Sequence, residues 1–459
     1  MGESREILYD VCVIGAGVAG LKAAQELEKF GVNYVVLEGR NRTGGRIHTD
    51  RTGLVPYDMG GSWFHDTLTN PFFDEVRSRA QDFDLFYDDG KPVYLNESGV
   101  DLEHEKVPQV VKEMEKYVEL RYFESIEVED ISLKEATEEY TRKQASLLSE
   151  AQAKFAPAML RQLELWHGVS WDQMSSKYAL VDNVGRNCLV RGGYDKVIGT
   201  IEAEIPVKRI ILNQTVNYVR RNGEYMVIKT SEREYRAKFV IVTIPQSVLQ
   251  SNDDTLGSIK WEPELPGDFR ESLSRMSFGS LGKFVFEFEH LFWSPEYGDR
   301  FVTIPTPGEA NHTCWDHPVL MLNMFSISGV ASVLCFTQGD ITRNLEARPD
   351  EAWEYFKPIF EKLKVSDYGD LPEPKRCISS TWTLDPLSRG SYAACEPGDD
   401  PVEVAITLSQ GLGNLRFAGE HTILDGAGAV HGAWLSGKRE AVYILQEMGL
   451  MERKEDHWQ

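Results

Sequence analysis

Residues 11–38 constrain this chain more than any other stretch. A short apolar run, Val11 to Ile14, flows into Gly15-Ala16-Gly17-Val18-Ala19-Gly20. An amphipathic helical pattern follows from Leu21 to Phe30, and a second apolar run, Tyr34 to Leu37, is closed by Glu38. The spacing predicts strand, glycine turn, helix, strand and acid. Gly15 permits a tight turn, Gly17 lets the backbone approach a diphosphate, and Gly20 lets helix and strand pack closely. The helix N-terminus offers free N–H groups and the positive end of its dipole to phosphate. Glu38 stands about twenty residues on, where an acceptor for a ribose hydroxyl belongs. The segment therefore predicts a dinucleotide site. The competing reading is a glycine-rich turn that binds nothing.

The next residues bear on which dinucleotide. Glu38 opens E-G-R-N-R-T-G-G-R, ending at Arg46. The pair Gly44-Gly45, flanked by Arg40, Arg42 and Arg46, suits a second clamp on a long diphosphate cofactor. This stretch resembles the RxGGR motif of the flavin amine oxidase superfamily, which favours FAD over NAD. A basic surface loop is the plain alternative.

Composition narrows the partners. The chain has 459 residues and a net charge of −23, which argues against nucleic acid or anionic lipid. Its length predicts two to three domains. The 6 cysteines, Cys12, Cys188, Cys314, Cys335, Cys377 and Cys395, show no CxxC pair and read as reduced thiols of a cytoplasmic protein. The N-terminus is polar, with no secretory leader expected, and the C-terminus carries no peroxisomal tripeptide. No apolar run is long enough to span a membrane. His312 and His317 flank Cys314 at a spacing that fits no zinc pattern, so no metal is expected.

Further motifs extend the resemblance along nearly the whole chain. YDMGGSWFH, residues 57–65, is similar to a stretch that in flavin amine oxidases runs under the flavin. The resemblance assigns Gly60, Gly61, Ser62 and Trp63 to the cofactor, and Trp63 and His65 to the substrate face. FYDDGKPVY, Phe86 to Tyr94, and RQLELWHGVSW, Arg161 to Trp171, resemble yeast-type spermine and polyamine oxidases. By that resemblance Asp89 and Trp166 border a substrate tunnel. Val216, in a hairpin that turns at Asn222-Gly223, matches a valine on the adenine side. Lys283 begins an alternating strand and matches a lysine linked through water to flavin N5. Burial there would lower its pKa and let it act in catalysis beside His65. Trp382 and Tyr392 fall in a W-x-x-D-P-x-x-x-G-S-Y stretch against the flavin. Gly419-Glu420 ends a strand at the cofactor. Gly428-Ala429-Val430 opens a helix whose N–H groups suit the flavin O2 edge.

The fold class expected is α/β. A Rossmann-type (GR2-like) FAD-binding domain is built from 1–75, 180–262 and 379–459. A mixed α+β substrate domain is built from 76–179 and 263–378. The resemblance implies an FAD-dependent oxidase of a secondary amine of spermine or N1-acetylated polyamines, with O2 as second substrate. No cysteine stands before the last helix, so the flavin is expected to be non-covalent. Two departures bear on the substrate: His431 replaces a tyrosine and Gly193 an asparagine of the yeast type, at positions that border substrate. No long helical insertion of the histone demethylase kind is present. The rival readings are an oxidase of another amine or amino acid, and a non-catalytic steroid or other ligand binder on the same fold.

Overall fold

The computed structural model describes residues 8–79, 82–123, 128–181, 183–251, 255–306, 313–366 and 368–453. His312 and the two terminal segments read above lie outside these residues.

The βαβ unit forms as its pattern requires. The strand Leu8–Ile14 leads into the helix Val18–Lys29 and on to the strand Tyr34–Leu37. The two strands pair in parallel, Val11 with Tyr34 and Ile14 with Leu37. On its other side Leu8–Ile14 pairs in parallel with Glu234–Val242, which also takes Leu415–Phe417 as a parallel neighbour. The antiparallel hairpin Val216–Asn222/Tyr225–Thr230 widens this sheet, and eight strands result. Val11, Cys12 and Val13 are fully buried because helices cover both faces of the parallel core. Leu21, Ala24 and Leu27 of the first helix and Trp434, Ala441 and Ile444 of the helix Val430–Glu447 fill one face. Phe269, Leu273 and Met276, with Val404 and Leu408, fill the other.

A second sheet of six strands runs Arg376–Ser379, Leu281–Glu287, Ser332–Gln338, Leu320–Asn323, Arg300–Thr303, Val93–Leu95. Phe284 and Phe286 pack one face against Trp353, Phe356 and Phe360 of the helix Ala352–Leu363. The opposite face is buried too: Val285, Leu334 and Phe336 meet Tyr57, Met59 and Leu189 in a separate cluster. Glu287 is buried on that side and accepts a hydrogen bond from the Tyr57 hydroxyl at 2.9 Å.

A small three-stranded sheet completes what the site needs. Trp63–Phe64 pairs with Cys188–Val190, which pairs with Leu85–Tyr87. Three segments distant in sequence thus end side by side, and Trp63 and His65 of the first meet Asp88 and Asn187 of the others.

Candidate active site

Two glycine turns meet at the end of the first strand. Gly15, at φ +103°, donates its N–H to Leu37 O at 2.8 Å. A Cβ on Gly20 would lie 1.9 Å from Gly15 O, so the helix can start this close to the strand only with glycine there. The second turn docks on the first: Gly44 N–H donates to Ala16 O at 2.9 Å, and a Cβ on Gly45 would stand 3.1 Å from Gly17 Cα. The result is a cradle of bare backbone. The helix Val18–Lys29 begins in it, with no side-chain cap and no acid in its first turn. Its leading N–H groups and dipole are open to an anion. Buried Glu38 accepts from Ala16 N–H at 2.7 Å and Arg40 N–H at 2.8 Å, and keeps lone pairs for a hydroxyl donor. The helix Val430–Glu447 starts in the same way, behind Gly428 at φ +75° and Ala429, again with neither cap nor acid. Two uncapped helix starts, a glycine cradle and a buried ribose acceptor fit a long diphosphate cofactor with a polar ring at its far end.

Between the two helix starts lies the extended segment 58–62. Gly60 cannot carry a side chain, since its Cβ would fall 1.9 Å from Arg46 O. The Lys283 ammonium donates to Asp58 O at 2.7 Å, Gly60 O at 2.6 Å and Ser62 Oγ at 2.6 Å. Three acceptors for three N–H groups suit the charged form. Burial opposes it and lowers the lysine to about 7. Burial thus makes the ammonium easier to deprotonate, and losing the proton frees a lone pair beside the segment. Nζ also lies 5.4 Å from the Trp63 ring centre and 5.0 Å from that of Phe336. Trp382 Nε1 donates to Met59 O at 2.7 Å, so two indole rings flank the segment.

Trp63 organises a second cluster of side chains. Its Nε1 donates to Asp88 at 2.9 Å, and its ring stacks near His65 with centroids 6.2 Å apart. His65 Nδ1 is 3.2 Å from Asn187 Oδ1. With the amide oxygen on that side, Nδ1 carries the hydrogen and Nε2 is an acceptor. Burial holds His65 below its usual pKa, and the nearby His431 adds to this, so the ring is neutral at pH 7. Asp88 is partly buried, 4.0 Å from Arg300, and desolvation raises it to about 6.

The other residues singled out in the sequence take the following places. Asp89 is exposed and ion-paired with Arg186, and its neighbour Asp88 is the carboxylate held against Trp63. Trp166 is half exposed on the short helix Glu164–His167. Gly193 occupies a turn at φ +106°, and the asparagine beside His65 is Asn187. Arg40 turns to Asp385 at 2.6 Å. Arg46 pairs with Glu420 at 2.9 Å, and that carboxylate also accepts from Gly428 N–H at 3.1 Å. Tyr392 lies in the strand Tyr392–Ala394, its ring 3.8 Å from where a Gly428 Cβ would be. Val216 is buried at the start of its hairpin, and Gly419 at φ +142° turns the chain before Glu420. His431 is buried, with Nε2 3.8 Å from Asp66, and burial lowers its pKa. Among the described residues no group of side chains could hold a metal ion, and no helix is long and apolar enough to cross a membrane.

Fold and site define a dinucleotide-binding protein with a cluster of partly buried polar side chains beside its glycine cradle. The chain belongs to the flavin-containing amine oxidoreductase family, whose model matches residues 18–445, and its cofactor is FAD. A corticosteroid-binding protein of Candida albicans is 35% identical, over 97% of each chain. Probable polyamine oxidase 4 of Arabidopsis thaliana is 29% identical, over 99% of this chain and 91% of that one. Lysine-specific histone demethylase 1 homolog 2 of Arabidopsis thaliana is 28% identical over 95% of this chain, which spans 58% of that relative. Cyclohexylamine oxidase from Brevibacterium oxydans IH-35A shares the fold, with a TM-score of 0.75 and 18% identity over 96% of this chain and 100% of that chain.

Proposed function

We propose that this protein oxidises a secondary amine of spermine or of an N1-acetylated polyamine. Amine, O2 and water give an aminoaldehyde, a smaller amine and H2O2. The observation that supports this reading is the set of acceptors around Trp63. Neutral His65 offers Nε2, and Asp88 offers a carboxylate one indole away. Such a set suits a chain of N–H donors, and the guanidinium beside it, Arg300, already faces Asp88 and Asp299. FAD, when bound, supplies the two-electron oxidation. The chain's own residues place the reacting amine and keep the site dry. His65 accepts an N–H and fixes the register of a flexible substrate. Met59, Leu189 and Phe336 exclude water. Lys283 holds or releases one proton beside residues 58–62. FAD is bound without a covalent link. The cofactor domain takes in 1–75, 180–262 and 379–459, and the substrate domain 76–179 and 263–378. Six unpaired thiols favour a cytoplasmic location.

The corticosteroid-binding relative favours a second reading, in which the same pocket holds an apolar ligand and turns nothing over. An H2O2 assay with spermine, spermidine, N1-acetylspermine and an amino-acid panel, beside equilibrium binding of a corticosteroid, tests both. Peroxide with polyamines alone is expected. Steroid binding without peroxide would favour the second reading.

A further inference from the structure

The helix Gly339–Ala347 belongs to the six-stranded layer, yet its Glu346 reaches across to the turn that carries Trp382. Glu346 is 2% exposed. Its carboxylate accepts from Ser380 Oγ at 2.5 Å, Trp382 N–H at 3.0 Å, Thr383 N–H at 2.7 Å and Thr383 Oγ1 at 2.5 Å. Four donors on two oxygens use the group as an acceptor only, a role a carboxamide cannot fill because one of its two ends donates. Ser380 makes a second link. Its Oγ accepts from Lys283 N–H at 2.8 Å, and its own N–H donates to Lys283 O at 2.9 Å.

The two residues tied together in this way grip one stretch of backbone. Lys283 Nζ holds the carbonyls of Asp58 and Gly60, and Trp382 Nε1 holds the carbonyl of Met59 between them. Three successive carbonyls are thus held by two side chains, and one buried carboxylate holds the backbone of Trp382 directly and that of Lys283 through Ser380 Oγ. We propose that Glu346 is a positioning residue that sets Lys283 and Trp382 in register with the segment 58–62 that borders the FAD site. The reasoning needs FAD but not a polyamine, so it stands apart from the substrate assignment. Small displacements of positioned groups carry large kinetic costs, and a single anchor for two such groups concentrates that sensitivity.

Glu346→Gln in the full-length holoprotein is the test, because it keeps the volume and turns one acceptor into a donor. Circular dichroism is expected to stay that of the wild type. The FAD dissociation constant should rise about tenfold, the fine structure of the flavin absorbance should change, and the inflection that Lys283 contributes to the pH dependence of that absorbance should move. In a Trp382→Phe background the effect of Glu346→Gln on FAD binding should shrink to less than about twofold, as coupled sites require. Ser380→Ala removes the hydroxyl that joins Glu346 to Lys283 N–H and leaves the Trp382 and Thr383 donors on Glu346, so it should move the pH inflection and leave FAD affinity within about twofold. It also carries the test if Glu346→Gln does not fold. Wild-type affinity, spectrum and pH profile in Glu346→Gln would overturn the proposal. So would full additivity with Trp382→Phe, or an unmoved inflection in Ser380→Ala.

Discussion

Replacing Lys283 by methionine separates the two roles its surroundings allow. The stem is buried between Trp63 and Phe336, so a methionine of similar length keeps the packing. The charge does not favour the fold. Its fall from the usual 10.5 to about 7 corresponds to roughly 5 kcal/mol of preference for the neutral amine. The acceptors left behind are partly served, since Ser62 Oγ also donates to Gly60 O at 2.9 Å and reaches Asp58 O at 3.4 Å. Lys283→Met should therefore fold and keep FAD. Stability then depends on pH with a defined sign. Between about 7 and 10.5 the unfolded lysine binds more proton than the native one. Wild-type stability relative to the variant must rise with pH through that window and be flat below it. In stopped-flow work at least one flavin half-reaction should slow tenfold or more, about 1.4 kcal/mol of barrier. The inflection near pH 7 should vanish. Wild-type rates in both half-reactions, or an inflection that survives the substitution, would refute the reasoning.

Three further outcomes are expected. His65→Ala should lose roughly ten- to a hundredfold in kcat/KM for spermine with the flavin spectrum unchanged, the cost of one hydrogen bond to a charged partner; loss of FAD would instead mark a structural histidine. Asp88→Asn should lower kcat/KM for polyamines about tenfold while Asp89→Asn changes it less than about twofold, because only Asp88 touches Trp63; the reverse order would place the substrate against the other acid. Acid precipitation should release the yellow cofactor into the supernatant, and flavin retained in the pellet would show a covalent link.

The cofactor half of the site was readable because its determinants are local. The turn at Gly15 to Gly20, the pair Gly44-Gly45 and the start of the last helix each fix their own backbone. The cluster around Trp63 and Lys283 depends on partners far apart in sequence. Lys283 finds its acceptors 225 and 223 residues away, and His65 meets Asn187 across 122. No periodicity signals such pairings. Asp88 and Asp89 differ by one position just beyond the strand Leu85–Tyr87, and side chains alternate along extended backbone, so which acid faces inward follows from the pairing of that strand with Cys188–Val190. Glu346 has no local signal in the sequence, because its four donors come from a turn more than thirty residues later.

The most direct measurement mixes the holoprotein with spermine in the absence of oxygen and follows the flavin colour. The account predicts that spermine bleaches the flavin fully within one turnover, that admitting O2 restores the colour with one H2O2 per flavin, and that a corticosteroid does neither. A flavin that stays yellow with every polyamine tried, while the steroid binds and shifts its spectrum, would contradict it.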